Sequence, residues 1–170
     1  MSKDVILRNL DFDEIPEVSS ILVQCWKYAY KGLINDEYLS SLKDNHWVEF
    51  LEKSIGDETA DCIIAECDNR VVGVSVFGKS ITEKYPGDGE IISLYVLPKF
   101  IGQNIGHLLF EKAEQAIKEY DYSDCTICTF AENVKAIEFY RSRGYDVVSQ
   151  NEIITMGDQE LSYVIMRKSL

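Results

Sequence analysis

The stretch Leu94-Tyr95-Val96-Leu97-Pro98-Lys99-Phe100-Ile101-Gly102-Gln103-Asn104-Ile105-Gly106-His107 has the residue types and spacing of an anion-binding turn. An apolar strand runs into a glycine-containing loop that opens a helix. Such a loop leaves the first helical N–H groups unpaired, at the positive end of the helix dipole. The anion it suits is a pyrophosphate. No Gly-Lys-Ser/Thr follows, so this is not a Walker loop, and the GxGxxG dinucleotide spacing is absent. Residues 91–110 contain no Asp or Glu, where average density would place about three. The first helical turn carries Gln103, Asn104 and His107 in place of the usual carboxylates. Exclusion of charge from a buried strand explains the same gap equally well.

Elsewhere, candidate chemistry is sparse. Cys125 and Cys128 form a CxxC, but TICTF reads as a strand, where residues three apart face opposite sides. No second CxxC or paired His completes a metal site. No Ser-His or Cys-His constellation stands out, which argues against a covalent acyl-enzyme. His46 lies in the N-terminal helical region with no partner in view.

The elements that must position the loop follow from periodicity. Residues 4–9 read as a strand, and Ile15, Val18, Ile21, Leu22 and Cys25 give an amphipathic helix. A second helical stretch is expected from about Asp36 to Ser54. Residues 62–67 and 71–78 flank Asp68-Asn69-Arg70 as strand, turn, strand. Glu90 to Leu97 is the most apolar strand, ended by Pro98. A helix from Ile105, a strand at 124–130, a helix from Val134 to Arg143 stopped by Gly144, and β stretches near 145–154 and 160–167 complete the chain. The order β-α-α-β-β-β-α-β-α-β-β is that of a mixed α/β sheet, and the absence of linkers or repeats reads as one domain, residues 1–170.

The 17 Lys+Arg against 29 Asp+Glu give 17 − 29 = −12. That balance argues against binding the nucleic-acid backbone and leaves open a cationic substrate or simply a soluble acidic surface. No apolar run approaches the roughly 20 residues of a membrane span, and the N-terminal residues lack an apolar leader core. Five cysteines without regular spacing suit a reducing cytoplasm.

Taken together, residues 101–106 (Ile-Gly-Gln-Asn-Ile-Gly) resemble the Arg/Gln-x-x-Gly-x-Gly/Ala loop of the GNAT superfamily of acetyl-CoA-dependent N-acetyltransferases. A second motif, Asn133-x-x-Ala136-x-x-Phe139-Tyr140-x-x-x-Gly144-Tyr145, lies 27 residues beyond Gly106. IIAECDNRVVGVSVFG and Trp26-x-x-Ala29-Tyr30-x-Gly32 also resemble family segments, so the likeness spans nearly the whole chain. Ile101 stands where the family has Arg or Gln, and Asn104 where it has Gly. Asn is the best non-Gly occupant of a left-handed position.

The resemblance implies a mostly antiparallel sheet with a splayed central strand pair and flanking helices. It implies acetyl-CoA as co-substrate, with no metal. Backbone groups of Leu94 and Val96 would meet the pantetheine arm, amides of Ile101, Gly102, Gln103, Asn104, Ile105, Gly106 and His107 the pyrophosphate, and Asn133 the pantetheine side. Direct attack of an amine on the thioester is implied, with Tyr140 protonating the leaving thiolate and Glu90, or else Glu66, as general base through water. The acceptor would be a small-molecule or peptide amine. Trp26, Tyr28, Tyr30, Tyr38, Trp47 and Tyr85 beside Asp36, Glu37, Asp44, Glu83 and Asp88 suit a cationic one, though core packing explains those aromatics too. A homodimer is compatible with this reading, and an acyl-CoA-binding module without turnover is the rival to an enzyme.

Overall fold

The computed structural model describes residues 4–170. Strands β1 (Val5–Asn9), β2 (Ala60–Cys67), β3 (Arg70–Lys79), β4 (Gly89–Val96), β5 (Asp124–Phe130), β6 (Asp146–Met156) and β7 (Gln159–Ser169) form one sheet in the order β1-β2-β3-β4-β5-β7-β6. Neighbours are antiparallel except β4 and β5, which are parallel. Helices α1 (Ile15–Ala29), α2 (Asp36–Ser41) and α3 (Val48–Gly56) precede β2, α4 (Ile105–Glu119) joins β4 to β5, and α5 (Val134–Arg141) follows β5. The mixed α/β architecture and its splayed pair match the expectation.

Each sheet face has its own core. Ile63, Val72, Phe77 and Ile91 pack with Leu109, Phe110 and Ile117 of α4 and with Tyr140 and Tyr145. On the other face Ile64, Val74 and Val76 meet Ile15, Val18 and Leu22 of α1 and Leu51 of α3. Alternation along the strands sends successive side chains to opposite cores.

The helical stretch expected over 36–54 is two helices. Leu42 is extended (φ −65°, ψ 116°) and buries its side chain. The turn from Lys43 to Trp47 then closes on Lys43 and Asn45 carbonyls, and the Trp47 amide donates to Ser19 Oγ of α1 at 2.9 Å. Anchoring to α1 overrides a continuous helix.

The feature that matters most is where β4 parts from β5. Their ladder consists of Gly89↔Cys125 and Glu90↔Thr126. Beside it, the β3–β4 register passes from Phe77↔Ile91 to Val76↔Ser93, which leaves Ile92 as an extra residue. A bulge bends its strand and sharpens the twist, and this one carries β4 away from β5 directly after the last shared pair. It also switches the side-chain alternation. Glu90 and Ile92 before the switch, and Ser93 and Tyr95 after it, all line one cavity.

Candidate active site

The cleft between β4 and β5 exposes main-chain groups. The Leu97 amide donates to Val72 O at 2.8 Å, so in an antiparallel ladder Leu97 and Tyr95 direct their main-chain groups toward β3 while Val96 and Leu94 direct theirs away. Away from β3 is the cleft, where the β5 pairing has already ended. Leu94 and Val96 therefore present an open strand edge.

That edge leads into the loop. One 3-10 turn, Pro98–Phe100, is followed by Ile101, 56% exposed, and then by Gly102 (φ +83°) and Asn104 (φ +66°). Asn104 takes the left-handed conformation and stands as the N-cap of α4 without bonding the helix through its side chain. Among the described residues the amides of Gly102, Gln103, Asn104, Ile105, Gly106 and His107 find no acceptor; the first bond into the helix is Leu108 N to Asn104 O. A Cβ on Gly106 would meet only Val96 Cγ2, at 3.7 Å, so the space above those amides is open. An open strand edge, free amides and a bare Gly106 fit a pantetheine arm and its pyrophosphate.

The His107 imidazole, by contrast with its amide, is not free. Arg143 Nη2 lies 2.5 Å from His107 Nδ1, and His107 Nε2 lies 3.0 Å from Glu111 Oε1. A guanidinium only donates, so Nδ1 accepts and Nε2 carries the proton. Arg143 also covers the Phe139 ring, 3.4 Å from its centroid. It is a cation beside the α4 N-terminus that sequence reasoning missed, although it directly precedes Gly144 in the second motif.

Asn133 caps α5: its Oδ1 accepts from the Ala136 amide at 3.3 Å. Tyr140, on α5, is 8% exposed and packs against Phe110, Phe139 and Tyr145. Burial pushes its phenol well above the ordinary value, and the nearby Tyr30 phenol adds to the effect. Tyr30 and Tyr95 are themselves joined, hydroxyl to hydroxyl, at 2.6 Å.

The cavity on the face covered by α1 and α3 holds about 630 Å³. Its walls are mostly apolar and aromatic, with Trp26, Tyr30, Trp47, Phe50, Phe130 and Tyr163 around Glu90, Cys128 and Thr82. Glu83, Lys84 and Glu152 also line it, and Lys84 is ion-paired to Glu152. Glu90 is 3% exposed. Its Oε2 accepts from Ser80 Oγ at 2.7 Å, Ile81 N at 2.8 Å and Thr82 N at 3.1 Å, and its Oε1 accepts from Thr82 Oγ1 at 3.1 Å. Burial raises the Glu90 pKa against the pull of those donors.

Other expected residues lie elsewhere. Glu66, the alternative base, pairs with Arg8 at 2.9 Å across the β1–β2 edge and is not among the cavity residues. The register Ile6↔Glu66 puts Arg8 diagonal to it. His46 rests edge-on against Trp47. Tyr28 is exposed, and Tyr85 lies under Arg167, which bonds Asp88 at 2.6 Å. Asp36 borders a separate depression with Asp158. Cys125 is buried in the α4-side core while Cys128 faces the cavity. Among the described residues no group of three or more His, Cys, Asp or Glu could hold a metal, and no helix is long and apolar enough to cross a membrane.

A parted strand pair running into free helix-terminal amides is the architecture of an acyl-CoA-dependent transferase. The sequence matches the Acetyltransferase (GNAT) family over residues 17–145, and the chain belongs to that family. It is an acyl-CoA-dependent N-acetyltransferase, with acetyl-CoA as the family's co-substrate. Among curated proteins it is similar to a spermidine N(1)-acetyltransferase of Thermoplasma acidophilum, 24% identical over 83% of this chain and 88% of that one. It is also similar to the uncharacterized N-acetyltransferase YuaI of Bacillus subtilis, 23% identical over 90% of this chain and 87% of that one. Among solved structures, the PaiA N-acetyltransferase of Thermoplasma acidophilum in complex with coenzyme A superposes with a TM-score of 0.77 at 20% identity, covering 98% of this chain and 99% of that one.

Proposed function

We propose that the protein moves the acetyl group of acetyl-CoA to a primary amine, on a small molecule or a peptide N-terminus, by direct attack within a ternary complex. The observation that carries this reading is the continuity of the cleft. The outward main chain of Leu94 and Val96 leads, across the single 3-10 turn Pro98–Phe100, to the free amides of residues 102–107.

In this reading, acetyl-CoA supplies the activated thioester. Leu94 and Val96 hold its pantetheine arm as an added strand would be held, and the helix terminus holds its pyrophosphate. Ile101, whose own amide donates to Pro98 O at 3.4 Å, borders the free amides without adding to them, and Asn133 fixes the start of α5. Tyr140 reaches from α5, kept protonated by burial, and donates to the departing sulfur. Glu90, raised by burial, takes the proton the amine sheds, through water in the cavity. The aromatic walls accept the amine's carbon skeleton and add cation–π attraction for its ammonium form. The similarity to the Thermoplasma protein named a spermidine N(1)-acetyltransferase supports a polyamine-like acceptor. All five cysteines are free, which supports a cytoplasmic setting, and we read residues 1–170 as one domain.

Thermal unfolding with and without CoA tests the cleft. At millimolar CoA the unfolding temperature rises; no rise would remove the reading.

A further inference from the structure

Among the described residues, Thr82 is the one that bonds both oxygens of Glu90. Its amide reaches Oε2 and its hydroxyl reaches Oε1, each at 3.1 Å. Oε2 also holds Ser80 Oγ and the Ile81 amide, so three donors saturate it. A carboxylate offers about four acceptor sites, two on each oxygen. After the Thr82 hydroxyl has taken its place, one lone pair remains, on Oε1. Thr82 Oγ1 lies in turn 3.2 Å from Cys128 Sγ of β5. The threonine proton is committed to Glu90, so the thiol donates to the threonine oxygen. Thr82, Glu90 and Cys128 all line the same cavity.

We propose that Thr82 is a positioning residue for the acetyl transfer: it aims the remaining lone pair of Glu90 into the acceptor cavity and, backed by Cys128, sets the basicity of that carboxylate. The inference rests on Glu90 acting as base. In the step it serves, an N–H bond of the attacking amine breaks, the electron pair stays on nitrogen, and the proton passes through water to the free lone pair of Oε1. The Thr82 hydroxyl holds Oε1 before and after the transfer. Ser80 cannot do this, because its bond lies on the saturated oxygen.

The nearby titratable groups leave Thr82 in control. Burial pushes the β5 thiols of Cys125 and Cys128 up to about 12 and about 11, so both stay neutral. Asp88 is committed to Arg167, and Lys84 to Glu152 of β6. Glu83, the remaining carboxylate lining the cavity, is exposed and therefore well screened.

The test is a pH titration of the Glu90 carboxyl by carbon-13 NMR, its resonance assigned by its loss in Glu90→Gln, alongside the acid limb of kcat. Thr82→Val keeps the shape and removes the hydroxyl. Loss of a donor destabilises the anion, so the midpoint moves up by about one pH unit and the acid limb moves with it. Thr82→Ser restores both. Cys128→Ala, which cuts the chain from its other end, moves both in the same direction by less. An unmoved midpoint in Thr82→Val and Cys128→Ala overturns the role of Thr82 and leaves Glu90 as base untouched. A midpoint that moves while the acid limb stays overturns Glu90 as base, and with it the catalytic meaning of the Thr82 bond.

Discussion

The hydroxyl of Tyr30, at the end of α1, meets the hydroxyl of Tyr95, on β4, at 2.6 Å. Tyr95 sits between Leu94 and Val96, whose main chains face the cleft, so this bond fastens the helical layer to the strand that has left β5. Replacing either tyrosine by Phe leaves a buried hydroxyl without its partner, at a cost of about 1–2 kcal/mol. The double replacement costs less than the sum of the singles, with a coupling of about 1 kcal/mol. Urea unfolding of the four proteins in the cycle measures it.

Glu90 and Asp88 lie two residues apart and titrate in opposite directions. Glu90 is raised, chiefly by burial. The folded protein therefore binds that proton more tightly than the unfolded chain, whose Glu titrates near about 4.3. Stability from this site falls as pH rises from there through the folded value. Asp88 is lowered, chiefly by the Arg167 hydrogen bond. Its contribution is complete above about 3.9 and is lost as pH falls through the folded value. Urea unfolding across pH should show Glu90→Gln gaining on the wild type as pH rises, and the deficit of Asp88→Asn vanishing in acid.

Two glycines separate ligand space from packing space. A Cβ at Gly106 meets only a methyl of Val96 at 3.7 Å, whereas one at Gly89 falls 2.4 Å from Ile117 Cγ2 and 3.2 Å from the Tyr122 ring. Gly106→Val should unfold within about 1 kcal/mol of the wild type yet lose its CoA-dependent rise in unfolding temperature. Gly89→Ala should lose about 1–3 kcal/mol through overpacking. Unfolding with and without CoA distinguishes the two.

Tyr140 packs among Phe110, Phe139 and Tyr145, contacts that Phe preserves. Tyr140→Phe should lower kcat by about 100-fold, in the range of general-acid contributions, with CoA affinity within twofold of the wild type. Steady-state kinetics and CoA titration check both halves.

Local sequence signals carried part of this architecture. The loop from Pro98 to Gly106 announces itself through its glycines, the missing acids and the helix that follows, and Asn104 marks its left-handed turn by residue type. The bulge at Ile92 has no such mark, because Ile91-Ile92-Ser93-Leu94 reads as uninterrupted strand. The hold of Ser80 and Thr82 on Glu90 depends on how the β3–β4 connection folds back, and the commitment of Glu66 to Arg8 depends on the β1–β2 register. Neither can be read from spacing along the chain. The split after Leu42 likewise follows from Ser19, 28 residues before Trp47, accepting its amide.

Release of free CoA thiol from acetyl-CoA, followed as spermidine, a small arylalkylamine and a peptide with a free N-terminus are each varied, tests the central claim most directly. The account predicts saturable, amine-dependent release, with initial-rate lines that intersect as a ternary complex requires. Release that no primary amine accelerates, from protein that binds CoA, would contradict it.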